Sequence, residues 1–318
     1  MNWQNAFMNI WKLTGYKYAQ KERGYMILMN GKLSMRHKAM GALIICALLW
    51  STSGFALKSV TTLDSMRVSG YRCLIAAVFL ILVQGKPRIE KKNKWFWTGC
   101  VAYAVASYLI VQANALTTAA NAIILQYIAP VFVCVFSVIF LHEKMRRSNF
   151  VVIGAVLIGL ILFFQESLSV NMAHTVGNIV AVMVGFVMAL QAISVCQVQN
   201  VKVVRSVVML GSLLNFILCL PFMQHTPAPL SDYLWILFLG IFQLGLSYSI
   251  YSWAVNYLSP LEVILIPAIE PLANPVLTLL IRGEKMTMNT IAGGIIVVGS
   301  ITVWSFWKEI RRKDKRVA

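Results

Sequence analysis

The sequence contains ten apolar segments, each about as long as a helix that crosses a lipid bilayer. A bilayer core of about 30 Å requires about 20 predominantly apolar helical residues. The first charge-free run, AMGALIICALLWSTSGFAL, occupies residues 39–57, and the connections between successive runs are short. The predicted spans are 39–58, 67–84, 95–114, 121–141, 149–165, 177–197, 206–223, 234–256, 262–281 and 291–307. We therefore predict an all-α membrane protein with ten transmembrane helices.

The composition agrees with a chain that is dissolved in lipid. Hydrophobic residues make up 59% of the sequence and charged residues 12%, whereas about 25% charged residues is typical of soluble proteins. The net charge of +17 could suggest nucleic-acid binding, but the basic residues lie in short connections between apolar runs. The lipid bilayer accounts for these charges, so we expect it to be a partner and expect no nucleic-acid partner.

The lysines and arginines also predict the orientation of the chain. If the N-terminus is cytoplasmic and the ten helices alternate, 23 basic residues fall on the cytoplasmic side and 5 on the other. Cytoplasmic loops of membrane proteins carry an excess of Lys and Arg. The sequence therefore predicts a multi-pass protein of the cell membrane with both termini in the cytoplasm.

The two ends of the chain are basic. We interpret residues 1–35 as a basic tail; an interfacial amphipathic helix and an upstream extension of the reading frame are the alternatives. Residues 309–318 are predicted to be a basic cytoplasmic tail. We assign neither segment a function.

Two groups of residues argue against an enzyme. All six cysteines fall inside predicted helices and form no CxxC pair, which indicates buried structural thiols rather than disulfides or a metal site. All four histidines fall in loops or termini, so no histidine lies at membrane depth for catalysis. We expect no enzymatic activity, no cofactor and no bound metal.

The chain contains an internal repeat. A shift of 141 residues aligns residues 124–145 with residues 265–286 without a gap, and it places Glu-Lys-Met on Glu-Lys-Met. Two halves of five helices follow, at residues 36–165 and 166–308. Because five is odd, the second half enters the membrane upside down relative to the first. Inverted-topology repeats of this kind are the architecture of many secondary transporters.

These features carry a family resemblance. The stretches LLWSTSGFALK at 48–58 and GYRCLIAA at 70–77, together with the doubled proline and Glu-Lys-Met pattern, resemble the drug/metabolite transporter superfamily and its EamA-type ten-helix branch. The resemblance covers residues 36–308 and implies a carrier of small organic solutes, often amino acids or metabolites, frequently moved outward. Two positions depart from the pattern: Ser51 follows Trp50 where the family often has glycine, and Ala129 stands where the second half has Glu270.

Predicted helix nine contains the segment IPAIEPLANP at residues 266–275. A proline inside a helix leaves the carbonyl four residues earlier without its helical partner, and in lipid that carbonyl must be satisfied by protein or by water. Glu270 lies about 12 Å into this helix, near the predicted middle of the bilayer. We interpret the segment as a kinked wall of a solute pathway; the alternative is a packing role with a satisfied structural carboxyl. The predicted helix kinks are Pro130, Pro267, Pro271 and Pro275.

Polar and aromatic residues of other helices fall at a similar depth, and uncharged amides and hydroxyls there can also serve only to hold helices together. A carboxylate among tryptophan, tyrosine and amides suits a zwitterionic or amine-bearing solute, by pairing with its ammonium or by exchanging a proton. The predicted substrate-binding residues are Trp50, Ser53, Gln126, Tyr127, Gln191, Asn215, Gln243, Ser247, Glu270 and Asn274.

For Arg72 and for a set of glycines we favour structural interpretations over functional ones. Arg72 lies near the outer end of predicted helix two and can extend to the membrane surface, with an outer gate or anion attraction as the alternative. The glycines of predicted helices five and ten are suited to packing within the chain or in a homodimer.

Taken together, the residues and the resemblance predict a secondary transporter. It would carry small organic solutes such as amino acids or related metabolites, as an exporter, by alternating access around a midplane cavity. The alternative is a membrane protein that does not transport solutes, such as a lipid scramblase or a sensor.

Overall fold

The computed structural model describes residues 35–52, 56–57, 59–117, 122, 125–142, 146–165, 175–198, 200–224, 227–270, 272–273 and 288–317. Regular structure in these ranges is helical throughout, and ten main helices follow one another along the chain. They are α1 (35–51), α2 (Ser65–Gln84), α3 (Lys94–Leu116), α4 (Ala129–Leu141), α5 (Arg147–Phe164), α6 (Thr175–Val198), α7 (Val201–Cys219), α8 (Leu230–Tyr257), α9 (Pro260–Ile269) and α10 (Met288–Val317).

Five of these helices are long and apolar enough to cross a membrane by themselves: α2, α3, α6, α7 with the 3-10 turn that follows it, and α8. The described parts of α4, α5, α9 and α10 add shorter apolar stretches. This all-α architecture confirms the predicted fold class. Helix α10 differs from its prediction, because it continues through the basic residues 309–317 that we expected to be a tail. Lysine and arginine are good helix formers, so the helix can extend past its apolar part.

Prolines divide two of the helices rather than bending them. Helix four was predicted over 121–141, but α4 begins at Ala129 after a turn at Tyr127 and Ile128, and Pro130 lies in its first turn. That position suits proline because the first N–H groups of a helix have no intrahelical partner. In α9 the α-helix Pro260–Leu265 passes into a 3-10 segment that contains Pro267. The predicted kinks at Pro271 and Pro275 lie outside the described residues.

Helix α8 is composite. It is α-helical over Leu230–Phe238, π-helical over Leu239–Leu246, α-helical over Ser247–Ala254 and 3-10 over Val255–Tyr257. Two glycines of the π segment allow α2 to come close, because a Cβ atom on Gly240 would lie 2.5 Å from Ile75 and one on Gly245 would lie 2.5 Å from Phe79. Segments of π-helix are frequent at functional sites.

Many contacts between helices have a counterpart when the first five helices are exchanged for the last five. Equivalent helices pair with each other, as in α2 with α7, α4 with α9, and α5 with α10. Three further pairs each have a counterpart in which the two halves are exchanged: α3 with α7 corresponds to α8 with α2, α4 with α6 to α9 with α1, and α3 with α6 to α8 with α1. The described helices therefore form two repeats of five, and the inversion of the second repeat in the membrane stays a prediction.

Small residues bring the last pair together. A Cβ atom on Gly293 of α10 would lie 2.5 Å from the carbonyl oxygen of Gly159 of α5, so these two backbones pack directly. Within-chain packing therefore accounts for both glycines. All six cysteines are buried inside helices, as the sequence predicted.

Candidate functional site

An aromatic cluster joins α1, α3 and α8 in the interior of the bundle. It consists of Trp50, Tyr103, Tyr248 and Tyr251, and Tyr248 is its centre. The Tyr248 ring centroid lies 5.3 Å from that of Trp50, 5.1 Å from that of Tyr103 and 5.4 Å from that of Tyr251. These separations fall in the range in which aromatic pairs are favourable. The cluster thus links the first repeat to the second.

The end of the π segment fixes the cluster to α1. The indole Nε1 of Trp50 donates a hydrogen bond to the Oγ of Ser247 at 2.8 Å. The Ser247 hydroxyl in turn donates to the carbonyl of Leu244 at 3.1 Å, and the thiol of Cys46 donates to the carbonyl of Ser247 at 3.2 Å. Trp50 is therefore held by a buried hydroxyl whose own proton is already engaged.

Polar side chains from α6 and α9 face Tyr248. The side chain of Gln191 lies beside the Tyr248 hydroxyl, and the carboxyl of Glu270 lies within electrostatic range of both Tyr248 and Tyr127. Gln191 and Tyr127 are buried, whereas Glu270 is half-buried. The carboxyl of Glu270 is therefore the group that both phenols, Tyr127 and Tyr248, have in their electrostatic surroundings.

In the 3-10 segment of α9, the carbonyl of Pro267 accepts hydrogen bonds from other protein groups. Pro271 follows Pro267 by four residues in the sequence, and because proline has no backbone N–H it cannot donate a helical hydrogen bond to the Pro267 carbonyl. That carbonyl accepts a hydrogen bond from the Tyr127 hydroxyl at 3.0 Å and another from the backbone N–H of Glu270. The expectation that protein groups would satisfy a freed carbonyl is confirmed here, and the bond ties α4 to α9 beside Glu270.

Four of the predicted site residues therefore lie near Tyr248, and they are Trp50, Gln191, Ser247 and Glu270. Tyr127 belongs to the neighbouring contact between α4 and α9, beside Glu270. Gln243 lies buried on the π segment, and its Oε1 has no hydrogen-bond partner among the described residues. Gln126 is half-buried and lies just before the turn that precedes α4. Ser53 and Asn274 lie outside the described residues.

Asn215 occupies a different place. It is fully buried, its Nδ2 donates to the carbonyl of Ala104 at 3.1 Å, and its Oδ1 accepts from the hydroxyl of Ser69 at 3.3 Å. These bonds join α7 to α3 and α2. The geometry favours the role of a side chain that holds helices together, which was the alternative to substrate contact.

The structure adds four residues that the sequence analysis did not include in the site. Tyr103, Tyr248 and Tyr251 form most of the aromatic cluster, and the only signal for two of them was the i, i+3 spacing in SYSIYSW. Arg72 is the fourth. It is 5% exposed, and its guanidinium lies within electrostatic range of Tyr103 and Tyr248. The expectation that Arg72 extends to the membrane surface is wrong, because its side chain points into the bundle.

The described residues form no second site of comparable character. The loop Ile89–Asn93 between α2 and α3 lines a shallow surface depression that contains none of the predicted site residues. The described residues contain no group of three His, Cys, Asp or Glu side chains that could hold a metal ion.

The fold and the site define a helical membrane protein of two repeats with a polar and aromatic centre. The EamA-like transporter family matches residues 37–165 and 175–306, one match in each half, and the chain belongs to this family. An uncharacterized transporter of Clostridium kluyveri is 25% identical over 289 residues, covering 83% of this chain and 92% of that protein. A solved structure, described only as the crystal structure of a protein, has a TM-score of 0.72 at 16% identity and covers 85% of this chain and 97% of that chain. At that identity the likeness shows the fold alone.

Proposed function

We propose that this protein is a secondary transporter of amino acids or related zwitterionic and amine-bearing metabolites, that it works by alternating access, and that it exports them. Membership of a transporter family supports the general class. The substrate class and mechanism rest on the site, and the direction rests on the resemblance. The proposed location is the cell membrane with both termini cytoplasmic, from the distribution of basic residues.

One observation carries the proposal. The rings of Trp50 and Tyr103 contact Tyr248 of α8, the amide of Gln191 lies beside its hydroxyl, and the charged groups of Arg72 and Glu270 lie within electrostatic range of it. A purely structural interior has little reason to gather so many polar groups at the boundary of two repeats, since each is expensive to bury in a membrane. A site for a small polar solute does have such a reason.

The position of the site suits alternating access. In transporters built from repeats, the substrate site lies at the repeat interface, often beside discontinuous helices, and one repeat rocks against the other. Here the α-helical part of α9 ends just before Pro267, and α4 begins only at Ala129, after a turn. The hydrogen bond from the Tyr127 hydroxyl to the Pro267 carbonyl joins these two helix ends. A solute held next to this junction can be exposed to either side when the two halves change their packing.

The test is substrate counterflow in proteoliposomes. Purified protein is reconstituted into vesicles loaded with unlabelled amino acids, and uptake of the labelled amino acid is measured with and without a pH gradient. We expect saturable uptake for a subset of amino acids. If no amino acid or small amine shows protein-dependent uptake while labelled lipids move between leaflets, the protein is a scramblase and the proposal is wrong.

A pair of matched variants ties the flux to the site. Tyr248→Phe keeps the ring and removes the hydroxyl that lies beside Gln191, whereas Tyr257→Phe makes the same change on an exposed ring of the same helix. The first variant should lose the hydrogen bond that the Tyr248 hydroxyl makes to the solute, worth about 0.5–1.5 kcal/mol, and its KM should rise roughly two- to tenfold. An equal change of KM in both variants would show that the flux does not depend on the site around Tyr248.

A further inference from the structure

The side chain of Arg72 is buried inside the bundle, although it carries a charge. Arg72 is the eighth residue of α2, so its Cα lies about 10 Å along a helix of about 30 Å. The side chain continues inward, because it lies within electrostatic range of Tyr103 of α3, Tyr248 of α8 and Cys219 of α7. A helix end at the surface would not bring one side chain close to all three.

The groups around Arg72 leave its charge uncompensated within the described chain. The residues that it approaches are phenols and thiols, and no described carboxylate lies within ion-pair distance of it. Its Nε is buried and has no hydrogen-bond partner among the described residues. A buried cation without an anionic partner is strongly disfavoured in a membrane protein, so such residues mark ligand or ion pathways.

Arg67 of the same helix shows the contrast. It is equally buried, but its guanidinium donates a hydrogen bond to the hydroxyl of Tyr233 at 3.0 Å and lies 6.0 Å from the centre of the Tyr71 ring. Arg67 thus serves the contact between the beginnings of α2 and α8. Arg72 is directed instead at the residues that form the candidate site.

A carboxyl group faces the same tyrosine from another helix. Glu270 and Arg72 both lie within electrostatic range of Tyr248, yet they do not form an ion pair with each other. Arginine offers a planar fork of donors that matches a carboxylate in a two-point contact. Two opposite charges that both lie near Tyr248 and are not paired with each other complement a solute with one positive and one negative end.

We propose that Arg72 binds the carboxylate of an α-amino acid substrate while Glu270 of α9 pairs with its ammonium, and that Tyr248 lies between them. This inference rests on the proposed function and makes Arg72 the residue that distinguishes a zwitterion from a simple amine. It also explains why only one half of the repeat carries a carboxyl at this position: the solute is itself asymmetric, so equivalent positions of the two halves need different charges.

The test compares each zwitterion with analogues that lack one of its charges. The probes are L-phenylalanine with phenethylamine and 3-phenylpropionate, and L-leucine with isopentylamine and 4-methylpentanoate. Binding to the purified protein in detergent is measured by ligand-induced thermal stabilisation and by competition with the amino acid that gives the largest counterflow. Wild-type protein should bind the zwitterion at least about tenfold more tightly than either analogue, since each analogue leaves one buried charge without a partner.

The variants separate the two ends of the solute. Arg72→Gln should reduce the preference for the zwitterion over the amine by about tenfold or more, and Arg72→Lys should restore part of it. Glu270→Gln should instead reduce the preference for the zwitterion over the carboxylate analogue. Arg67→Gln is the control, because it removes an equally buried arginine of the same helix and should leave both preferences unchanged.

The outcomes distinguish this inference from the proposed function. If the wild type transports amino acids but binds the amine as tightly as the zwitterion, the role of Arg72 is refuted and the transporter proposal stands. The same conclusion follows if Arg72→Gln keeps the wild-type preference. If Arg72→Gln does not fold, the wild-type comparison and Arg72→Lys still decide the question. If the wild type neither binds nor carries any amino acid, both proposals are wrong.

Discussion

Separating the partners of the buried ion pair between Arg36 and Glu262 should destabilise the protein strongly. Arg36 lies near the beginning of α1 and Glu262 in the first turn of α9, and the guanidinium contacts the Oε1 of the carboxylate. The two side chains are 6% and 0% exposed. The contact closes one end of the bundle between the two repeats.

The second carboxylate oxygen of Glu262 determines which substitution isolates the ion pair. Oε2 of Glu262 accepts hydrogen bonds from the backbone N–H and the hydroxyl of Ser259, both at 2.7 Å, in a capping box that begins α9. Glu262→Gln retains an oxygen for this cap and removes only the charge, so the effect of the ion pair can be measured apart from the helix start. Arg36→Met removes the opposite charge at similar length.

The expected magnitudes follow from the burial. Removing one partner of a buried pair leaves an uncompensated charge and costs about 3–5 kcal/mol, whereas replacing both removes the charge problem altogether. We therefore expect each single variant to lose about 3–5 kcal/mol and the double variant to lose less than either single variant does. Unfolding with a denaturing detergent, followed by tryptophan fluorescence, measures all four proteins.

A control completes the cycle. Arg88→Met removes an exposed arginine from the loop between α2 and α3 and should change the free energy of unfolding by less than about 0.5 kcal/mol. Single variants that unfold like the wild type, or effects that simply add in the double variant, would refute the reasoning that this pair is buried and directly coupled.

Three further predictions test the helix contacts and the orientation. Tyr127→Phe should lower stability by about 0.5–1.5 kcal/mol, because the proline carbonyl that it serves keeps one other donor; an unchanged melting temperature would contradict this. Gly293→Ala should lower stability by about 1–3 kcal/mol through its clash with α5, whereas Gly154→Ala, which has no described atom within 4 Å of the added carbon, should not; equal effects would count against the α5–α10 contact. A reporter after Ala318 should be cytoplasmic and one inserted at His174 external, and both on one side would rule out the inverted repeat.

The helices and the repeat could be predicted because their signals are long and redundant. Ten apolar runs, the basic residues between them and a gap-free internal alignment all constrain the same arrangement. The late start of α4 was not predicted, because hydropathy continues through residues 121–128 and does not register a turn. Pro130 was the available signal, and it was interpreted as a kink within a helix rather than as the first turn of a new one.

The site could be predicted only in part, because hydropathy gives depth and says little about direction. Trp50 and Glu270 were selected by depth and lie near Tyr248, and Tyr127, selected in the same way, lies within electrostatic range of Glu270. Asn215 has the same depth signal but faces Ala104 and Ser69.

Arg72 is the opposite case, because the sequence predicted a side chain at the membrane surface and the structure has a buried one. An arginine near a helix end usually extends to the surface, and only the packing of α2 against α3, α7 and α8 turns this one inward. Which face of a helix meets its neighbours depends on tertiary contacts that a single sequence does not display.

The central claim is that the interior around Glu270 is the substrate site, and substrate flux through Glu270→Gln tests it most directly. The substitution keeps the shape of the side chain and some of its hydrogen bonding but removes the charge and the titration. We expect a protein that inserts and melts like the wild type yet loses substrate binding or the pH dependence of transport, since losing an ion pair to the solute ammonium should cost about 2–5 kcal/mol in the complex. Flux is measured at several pH values, with expression level and melting temperature recorded alongside. A well-folded variant with wild-type flux and an unchanged pH profile would contradict the account and leave the prolines of α9 with a structural role alone.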